Sequence, residues 1–540
     1  MAANKYDAIV IGGGHNGLIA AAYMAKSGAQ VVVLEARHKT GGATDTMSPW
    51  PEAPEFKVTT LSYVMSLMPP EIIADLHLED HGYKLLPQAM GYLPLPDGRS
   101  IVSDGGEREH ASISQFSKKD AEAHDAFYAW LGRIADLMHP MLMETPPKLG
   151  SSVPGDLIDQ LRFVLRRRKG MDVRTVADIT KLFTMSAADL LGEWFESSEL
   201  IGAIAMPGVL GAWGGPETPG TAYVLMHLSI GSSGEGAQTS SWGYPQGGMG
   251  AVADACRRSA ENFGAEVRVN APVDKVLIRE GRAYGVALVG GEEVHAPVVV
   301  TTCHPKITFE RQIDAHDLPD DFVKDIKNWK SRSGMVKVNV AIDRLPDFTA
   351  DPGFDPDVHG SAIAILEGVE DLETAFQDAR SGKASEKPFA DMALPTVFDK
   401  TLAPEGKHIM SLCSQWVPAS WADEDHMPEL ESYADRLFDR IEAVAPGFKD
   451  SVLHRQVIGP REMQEEWKLI GGSVYHGELT FNQLFHMRPV PGYADYRTPI
   501  KGLYQGSSGT HAGGGVTGLP GHHVVRAIRQ DKALRRTSAR

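Results

Sequence analysis

A glycine-rich turn near the start of the chain constrains the fold more than any other feature. The apolar run YDAIVI precedes Gly12, Gly14 and Gly17, and a helical stretch and a second apolar run, VVVL, follow. This order predicts a strand, a tight turn, a helix and a second buried strand. Gly12 permits the turn, Gly14 lets the backbone approach a pyrophosphate, and Gly17 lets the helix pack closely against the strand.

An acidic residue completes the dinucleotide-binding pattern. Glu35 ends the second strand, roughly 20 residues beyond the first glycine, where its carboxylate can accept hydrogen bonds from adenosine ribose hydroxyls. The same charge disfavours a 2′-phosphate. His15 and Asn16 lie within the turn, where contact with the cofactor is favoured over catalysis. The alternative is a purely structural glycine turn.

The stretch after the second strand favours FAD over NAD. It contains Arg37 and then Gly41, Gly42 and Ala43, and it resembles the motif found at this place in the glutathione-reductase-like flavoproteins. Many relatives carry an arginine after the paired glycines, so Ala43 at this position argues against a typical monoamine oxidase. The glycine-rich segment 231–236 has the wrong order for a second nucleotide turn and is interpreted as a loop. A built-in NAD(P)H domain is therefore not expected.

A second glycine loop lies near the C-terminus, between a predicted strand, GLYQG, and a predicted helix. Its cofactor candidates are Gly513, Gly514, Gly515 and Val516. Free backbone N–H groups and a helix N-terminus at this loop are suited to stabilise negative charge at N1 and O2 of a reduced flavin. The alternative is a plain turn from strand to helix.

Together these segments resemble the phytoene desaturase and carotenoid isomerase superfamily over nearly the whole chain. The likeness is strongest to the branch that includes pyridine nucleotide-disulfide oxidoreductase domain-containing protein 2. The matching stretches are GGGHNGLIAAAYMAKSG, GEWFESSEL, YPQGGMGAVADA, YHGELTFNQLFHMRPVPG and GTHAGGGVTGLPG. The resemblance implies an α/β fold: a glutathione-reductase-like (Rossmann) FAD-binding domain built from discontinuous segments, with an inserted α+β substrate domain and the flavin ring at their junction.

The expected domain limits follow from the same segments. Residues 1–75, 240–310 and 496–540 are assigned to the FAD-binding domain, and residues 76–239 and 311–495 to the substrate-binding domain. Residues 76–239 are predicted to be mostly helical, with Ser186 as an N-cap. Four strands are predicted at about 266–269, 273–279, 283–289 and 298–302. Val273, on the second of these, is assigned to cofactor contact.

The resemblance implies an FAD-dependent oxidoreductase. Hydride would pass to flavin N5 from a hydrophobic, unsaturated, carotenoid- or lipid-like substrate, in a desaturase, saturase or isomerase reaction with oxygen or quinone as electron acceptor. A flavin amine oxidase and a non-catalytic FAD protein that acts by interaction are the alternatives. His511 and His476 are the catalytic candidates, although packing or helix capping is the stronger alternative for His511. For Tyr63, core packing is favoured.

Composition excludes several other classes. With 53 basic and 70 acidic residues the formal charge is −17, which argues against nucleic acid as a partner. Cys256, Cys303 and Cys413 form no CxxC pair or zinc knuckle, so neither a metal site nor disulfide chemistry is expected. The sequence shows no signal peptide pattern and no membrane-spanning run, so a cytoplasmic location is expected.

One basic segment stands out in this acidic chain. Residues 157–169 combine apolar side chains with a basic cluster, RRRK. The segment could dock on anionic lipid and admit a lipophilic substrate, which would make the protein peripherally membrane-associated. A helix with an apolar core face and a solvated basic end is the favoured alternative. Homo-oligomerisation stays open.

Overall fold

The computed structural model describes residues 6–65, 67–168, 170–230 and 242–534, so the predicted loop at 231–236 and Lys169 lie outside the described residues. The strands are β1 (Ala8–Ile11), β2 (Val31–Leu34), β3 (Thr46–Met47), β4 (Val58–Thr59), β5 (Leu85–Pro87), β6 (Gly91–Pro94), β7 (Ser100–Ser103), β8 (Gly243–Pro245), β9 (Glu266–Arg268), β10 (Val273–Arg279), β11 (Arg282–Leu288), β12 (Glu293–His295), β13 (Val298–Thr301), β14 (Val336–Ile342), β15 (Ala362–Ile365), β16 (Phe389–Ala393), β17 (His408–Gln415), β18 (Val452–Ile458) and β19 (Leu503–Gln505).

The helices are α1 (His15–Lys26), α2 (Pro70–Asp75), α3 (Glu107–Ser114), α4 (Lys118–Leu142), α5 (Pro154–Arg167), α6 (Val173–Thr184), α7 (Ala187–Gly192), α8 (Ser198–Val209), α9 (Ala222–Ile230), α10 (Met249–Asn262), α11 (Asp320–Asn328), α12 (Pro356–His359), α13 (Val369–Arg380), α14 (Met427–Val444), α15 (Pro460–Trp467) and α16 (Leu519–Gln530). Within the described ranges, none of these helices combines the length and the apolar character needed to cross a membrane.

A five-stranded parallel sheet organises the cofactor side of the molecule. Its strand order is β19, β13, β1, β2, β9, and every neighbouring pair runs parallel. All residues of β1, β2 and β13 are buried, which explains why these strands are continuous apolar runs in the sequence. The strands come from all three segments that the sequence assigns to FAD binding. The Rossmann-like α/β class is confirmed.

Helix α1 connects the first two strands of this sheet and packs against α10 and α16. It is buried from His15 to Ala25, so only its C-terminal Lys26 reaches solvent. A Cβ on Gly17 would lie 2.0 Å from the carbonyl oxygen of Gly12. The helix can approach the turn this closely only because position 17 carries no side chain.

A seven-stranded mixed sheet forms the second layer, in the order β18, β14, β17, β16, β15, β6, β7. Only the pair β15 and β6 is parallel among its neighbours. One face packs against α14, whose buried Leu430, Tyr433 and Ile441 share an apolar cluster with Val338 and Val340 of β14. The other face of β14 carries Lys337 and turns towards the cofactor side.

The sequence-based expectation of a mostly helical stretch from residue 76 needs one correction. Strands β5, β6 and β7 lie between Leu85 and Ser103, and β6 and β7 complete the edge of the seven-stranded sheet. Each has only three or four residues, and β6 pairs with β15 more than 250 residues away. Such short strands carry little local periodicity, so tertiary pairing decides their conformation. Helices α3 to α9 follow, and Ser186 caps α7 as predicted, accepting a hydrogen bond from Asp189 N at 3.0 Å.

We expect Asp120 to be essential for the helical layer. This fully buried carboxylate at the start of α4 accepts hydrogen bonds from Glu196 N at 2.8 Å and Ser197 N at 2.9 Å, and from the Ser197 hydroxyl. Asp120→Ala removes the shared acceptor of these part-buried donors and three hydrogen bonds to a charged group, which should cost about 2–4 kcal/mol. Chemical denaturation measures the change. Glu122→Ala, at an exposed position on the same helix, is the control, and equal losses in the two variants would contradict the assignment.

Candidate functional site

The candidate site lies at the carboxyl edge of the parallel sheet. β1 leads into Gly12, β2 into Glu35, β13 into Thr302 and β19 into Gly506. Because parallel strands end at the same edge, these four positions face one region. Open α/β sheets bind ligands at this edge, where neighbouring connections diverge.

Backbone hydrogen bonds fix Glu35 beside the first glycine turn. Gly13 N donates to Glu35 Oε2 at 2.7 Å, and Arg37 N donates to Oε1 at 2.9 Å. Gly41 N donates to the Gly13 carbonyl at 2.8 Å and so ties the paired glycines to the turn. Each carboxylate oxygen keeps a further lone pair that a ribose hydroxyl can use. The geometry is compatible with the predicted ribose contact.

The predicted residues after β2 form one rim of this edge. Arg37 donates from Nη2 to Asp45 at 2.9 Å, and its guanidinium lies 5.2 Å from the Trp467 ring centre. Gly42 follows Gly41 in the left-handed region, and the Ala43 carbonyl accepts the Ser62 hydroxyl at 2.9 Å. Val273 begins β10 and packs against the apolar cluster that includes Ile9 and Val299, and its contact with the cofactor stays a prediction.

Several buried polar atoms at this edge lack a protein partner. They are His15 Nε2, Asn16 Oδ1, Arg37 Nη1 and both polar side-chain atoms of Gln505. Asn16 also donates from Nδ2 to Ser508 Oγ at 3.2 Å, which joins the first turn to the C-terminal segment. Leaving such atoms unpaired costs free energy. A polar ligand with a diphosphate and hydroxyl groups would satisfy them, so the residues present fit FAD.

The C-terminal glycine loop is separate from the helix that follows it. Gly514, Gly515 and Val516 form a bend after Gly513, whereas α16 begins only at Leu519. A Cβ on Gly513 would lie 1.9 Å from the Ser508 carbonyl oxygen, so this close approach requires glycine. Leu519 N is already bonded to Thr517 Oγ1 at 3.1 Å. The predicted order of strand, glycine loop and helix is present, and the contact of the loop backbone and the helix N-terminus with a flavin stays a prediction.

A cavity opens beside this loop, at the junction of the helical layer and the cofactor side. Its lining is apolar and aromatic, with two histidines and one arginine: Leu142, Tyr223, His227, Leu484, Phe485, Arg488, His511, Ala512 and Gly513. Tyr223 stacks on Phe183 with ring centres 5.0 Å apart. The cavity is small, about 10 Å³ or the room of one water molecule, so what bears on a ligand is the chemical character of the lining, apolar side chains with a few polar groups.

The structure separates the two predicted catalytic histidines. His511 lines the cavity, and its Nε2 pairs with the Met141 carbonyl at 2.9 Å. His476 lies outside the lining, with its ring centre 5.4 Å from that of His304, and its buried Nδ1 has no partner. Burial lowers the pKa of His511 to about 4 and that of His476 to about 3. Both rings are therefore neutral at physiological pH.

Arg488 is a buried cation that sequence reasoning did not single out. Its side chain is almost fully buried and donates to the carbonyls of Tyr475, Glu478, Gln483 and Ser508 at 2.7–3.2 Å. No carboxylate in the described ranges forms an ion pair with it. Burial lowers its pKa to about 9, so the group stays charged at pH 7. The sequence feature that could have identified Arg488 is its position in the family-like stretch HMRPVPG.

A second group missed from the sequence lies on the seven-stranded sheet and contacts Tyr63 of the N-terminal segment. Lys337, Cys413 and Asp391 lie opposite one another on β14, β17 and β16. The Tyr63 hydroxyl donates to Asp391, and the Lys337 ammonium lies 4.1 Å from the Tyr63 ring centre. Burial lowers the pKa of Lys337 to about 8 and raises the pKa of Asp391. Tyr63 therefore takes part in a polar group as well as packing in the core. The sequence feature that could have revealed this group is the lysine within the apolar alternation VKVNVAI.

Comparison with known protein families decides what kind of protein this is. A model described as "NAD(P)-binding Rossmann-like domain" matches residues 10–70, and one described as "Flavin containing amine oxidoreductase" matches residues 78–519. The chain belongs to the flavin containing amine oxidoreductase family. It is an FAD-dependent oxidoreductase, as the motifs predict, and the residues at the sheet edge are those that would hold the cofactor.

Individual relatives of this flavin oxidoreductase agree with the resemblance inferred from its motifs. Pyridine nucleotide-disulfide oxidoreductase domain-containing protein 2 of Rattus norvegicus is 39% identical, over 98% of this chain and 94% of the relative. Prolycopene isomerase 1 of an Oncidium hybrid cultivar is 25% identical, over 98% and 84%. The structure of putrescine oxidase bound to putrescine superposes with a TM-score of 0.61 at 17% identity, covering 98% of this chain and 99% of the other, and supports the fold.

The cysteines of this flavin oxidoreductase do not form a redox pair. Cys256, Cys303 and Cys413 are all free. Burial raises the pKa of Cys256 and Cys303 to about 12 and that of Cys413 to about 11. Thiol–disulfide exchange needs a thiolate, so the disulfide chemistry in the name of the rat relative has no carrier among these residues.

We expect Gly17→Ala to abolish FAD retention. The new methyl group would displace the Gly12 carbonyl and the turn that cradles the diphosphate, so bound flavin should fall below about a tenth of wild type. Flavin absorbance per purified chain measures the effect. Gly132→Ala, in open space on α4, is the matched control. If Gly17→Ala does not fold, Glu35→Ala tests the same cradle, and full flavin content in either folded variant would contradict it.

Buried neutral histidines should make the protein sensitive to acid. The unfolded chain protonates His511 below its usual pKa of about 6.5, whereas burial keeps the folded ring neutral down to about 4. Stability is therefore fully present above pH 6.5 and is lost as the pH falls towards 4, by up to about 1.4 kcal/mol per pH unit. His511→Gln should flatten the fall measured by denaturation at pH 7 and pH 5. His316→Gln, on the surface, should leave the slope unchanged.

Proposed function

We propose that this FAD-dependent oxidoreductase takes hydride from, or returns it to, a hydrophobic unsaturated substrate of carotenoid or lipid type. Desaturation would pass net hydride from the substrate to the flavin, and oxygen or a quinone is the proposed electron acceptor for it. Saturation would run the transfer in reverse and would need an electron donor to reduce the flavin, whereas isomerisation is redox-neutral and needs neither. The observation that carries the proposal is the character of the cavity lining: apolar and aromatic walls with neutral histidines and one buried cation. A prolycopene isomerase among the relatives supports the carotenoid-like part.

FAD supplies the reactivity when bound, because its ring accepts hydride at N5. The protein has to bind the cofactor, exclude water and hold a C–H bond near the ring. Gly13, Glu35 and Asn16 form the binding edge, and Leu142, Tyr223 and Phe485 form apolar walls that exclude water. Proton transfer at the substrate is not required of any side chain. The neutral His511 donates its one N–H from Nε2 to the Met141 carbonyl, so only its Nδ1 is left, and this atom can accept a hydrogen bond.

The buried charge of Arg488 separates this function from amine oxidation. An amine substrate is a cation near neutral pH, and a like charge at close range in a poorly solvated cavity opposes its entry. No described carboxylate lines the cavity to offset this charge. The same positive charge favours a neutral substrate and would stabilise electron density that accumulates on a reduced flavin.

Amine oxidation remains the second candidate. The family model that matches residues 78–519 is described by this activity. The aromatic group Tyr223, Phe183 and Phe485, with ring centres 5.0–6.0 Å apart, offers faces on which a cation can rest. The aromatic wall therefore favours amine oxidation, and the charge of Arg488 opposes it.

The decisive experiment is an anaerobic titration of the purified flavoprotein, followed at the oxidised flavin band near about 450 nm. Neutral polyenes and isoprenoids are compared with an amine of the same carbon skeleton, such as geranylamine. We expect the neutral compounds to bleach the band and the amine to be at least about tenfold less effective at pH 7.5. Efficient bleaching by the amine alone would overturn the proposal.

Arg488→Gln serves as the matched variant for this titration. The amide keeps donors for two of the four carbonyls but removes the charge. Response to the amine should then rise relative to the neutral substrate, by about tenfold. No change in this ratio would show that the charge does not select the substrate.

A further inference from the structure

Helix α5 presents its apolar face to solvent. Leu157, Ile158, Leu161, Val164 and Leu165 follow the spacing of one helix face, and each is 48–64% exposed. No residue of α5 is buried. A surface helix ordinarily turns such a face towards the core. The favoured sequence-based interpretation, an apolar core face, is therefore wrong for this helix.

The polar side of α5 holds it to the protein. Arg166 and Arg167 each pair with Glu144 at 3.0 Å, and Gln160 Nε2 donates to the Lys148 carbonyl at 2.7 Å. These contacts occupy the face opposite the apolar stripe. The orientation therefore follows from specific ion pairs and hydrogen bonds, and the apolar side is left without a protein partner.

Exposed apolar residues also flank the helix. They are Leu149 and Val153 before it and Met171, Val173 and Val176 after it, at 40–89% exposure. Isolated exposed apolar side chains are common, but a run of ten within 28 positions marks an interaction surface.

The charge of this surface selects its partner. From residue 160 to residue 169 the sequence contains basic residues and no acidic one, within a chain of net charge −17. Arg162 is exposed on the helix, where it pairs with the exposed Asp159 at 3.4 Å, and Arg168 is exposed at the C-cap. An apolar face bordered by arginines matches the interface of an anionic bilayer, where the apolar side chains enter the acyl boundary and the guanidinium groups meet phosphates. We propose that α5 docks the protein on anionic lipid membranes.

Helix α5 is attached to the protein close to the cavity. Leu142 lines the cavity, the Met141 carbonyl accepts from His511 Nε2, and Glu144, two residues further on, anchors α5. A membrane bound at α5 therefore faces the end of α4 that borders the proposed substrate site. This step rests on the proposed function: the placement brings the bilayer, and a lipophilic substrate dissolved in it, to the part of the protein that contains the cavity.

The test is co-sedimentation of the flavin-loaded full chain with vesicles of phosphatidylcholine alone or with 30% phosphatidylglycerol. We expect binding to the anionic vesicles that falls as NaCl rises from 50 to 500 mM. The double variant Leu161→Asp/Val164→Asp should weaken binding at least about tenfold, because it puts charge into the apolar stripe. Arg162→Gln/Arg168→Gln should weaken it and reduce its salt dependence.

Val289→Asp is the matched control, since Val289 is 64% exposed in the turn after β11, away from α5. Absence of binding by the wild type, or equal loss in the control, overturns the proposal. Light scattering that shows a dimer, converted to a monomer by Leu161→Asp/Val164→Asp, also overturns it, because a second copy then covers the face. If the protein binds vesicles but no neutral polyene bleaches its flavin, the proposed function is contradicted and the docking face is still supported. If a neutral polyene bleaches the flavin but the protein does not bind vesicles, the proposed function is supported and the docking face is contradicted.

Discussion

The parallel pairing of β1 with β2 and β13 is the constraint on which the rest of the molecule depends. It aligns Ile11, Leu34 and Thr301, which come from distant parts of the chain, so that the first glycine turn, Glu35 and the C-terminal segment after β19 share one edge. Parallel neighbours cannot be joined by tight hairpins. The long connections this imposes supply the helical layer and the seven-stranded sheet, and the cavity forms where they return to the cofactor edge.

The sequence predicts those parts of the site that depend on local backbone geometry. The strand β2 and the strand β10 have their predicted limits, and Gly17 is required by its contact with the Gly12 carbonyl. What escapes prediction depends on pairing across the fold. Lys337 and Asp391 are 54 residues apart and meet only through the register of β14, β17 and β16. Arg488 binds four carbonyls that no local pattern encodes.

Two buried cations give this oxidoreductase its electrostatic character, and they are stabilised in different ways. Lys337 has a nearby carboxyl and phenol, so its charge is shared within a group that can exchange protons. Arg488 has only carbonyl dipoles and the Trp329 ring 5.2 Å away, so its charge is not neutralised. Burying such a charge costs free energy. A buried cation beside a cavity opposes the entry of positively charged ligands and favours neutral or negatively charged ones. A neutral substrate and an electron-rich cofactor meet that requirement together.

Helix α5 shows why periodicity alone cannot assign a surface. The hydrophobic pattern of residues 157–165 is that of a helix packed on a core, and nothing within the segment distinguishes the inward from the outward face. The orientation of α5 is set by Glu144, two residues after the end of α4, which pairs with Arg166 and Arg167. Those two pairs turn the apolar stripe away from the protein. Because Glu144 lies two residues beyond Leu142 of the cavity, the interaction that exposes the stripe also holds helix α5 close to the site.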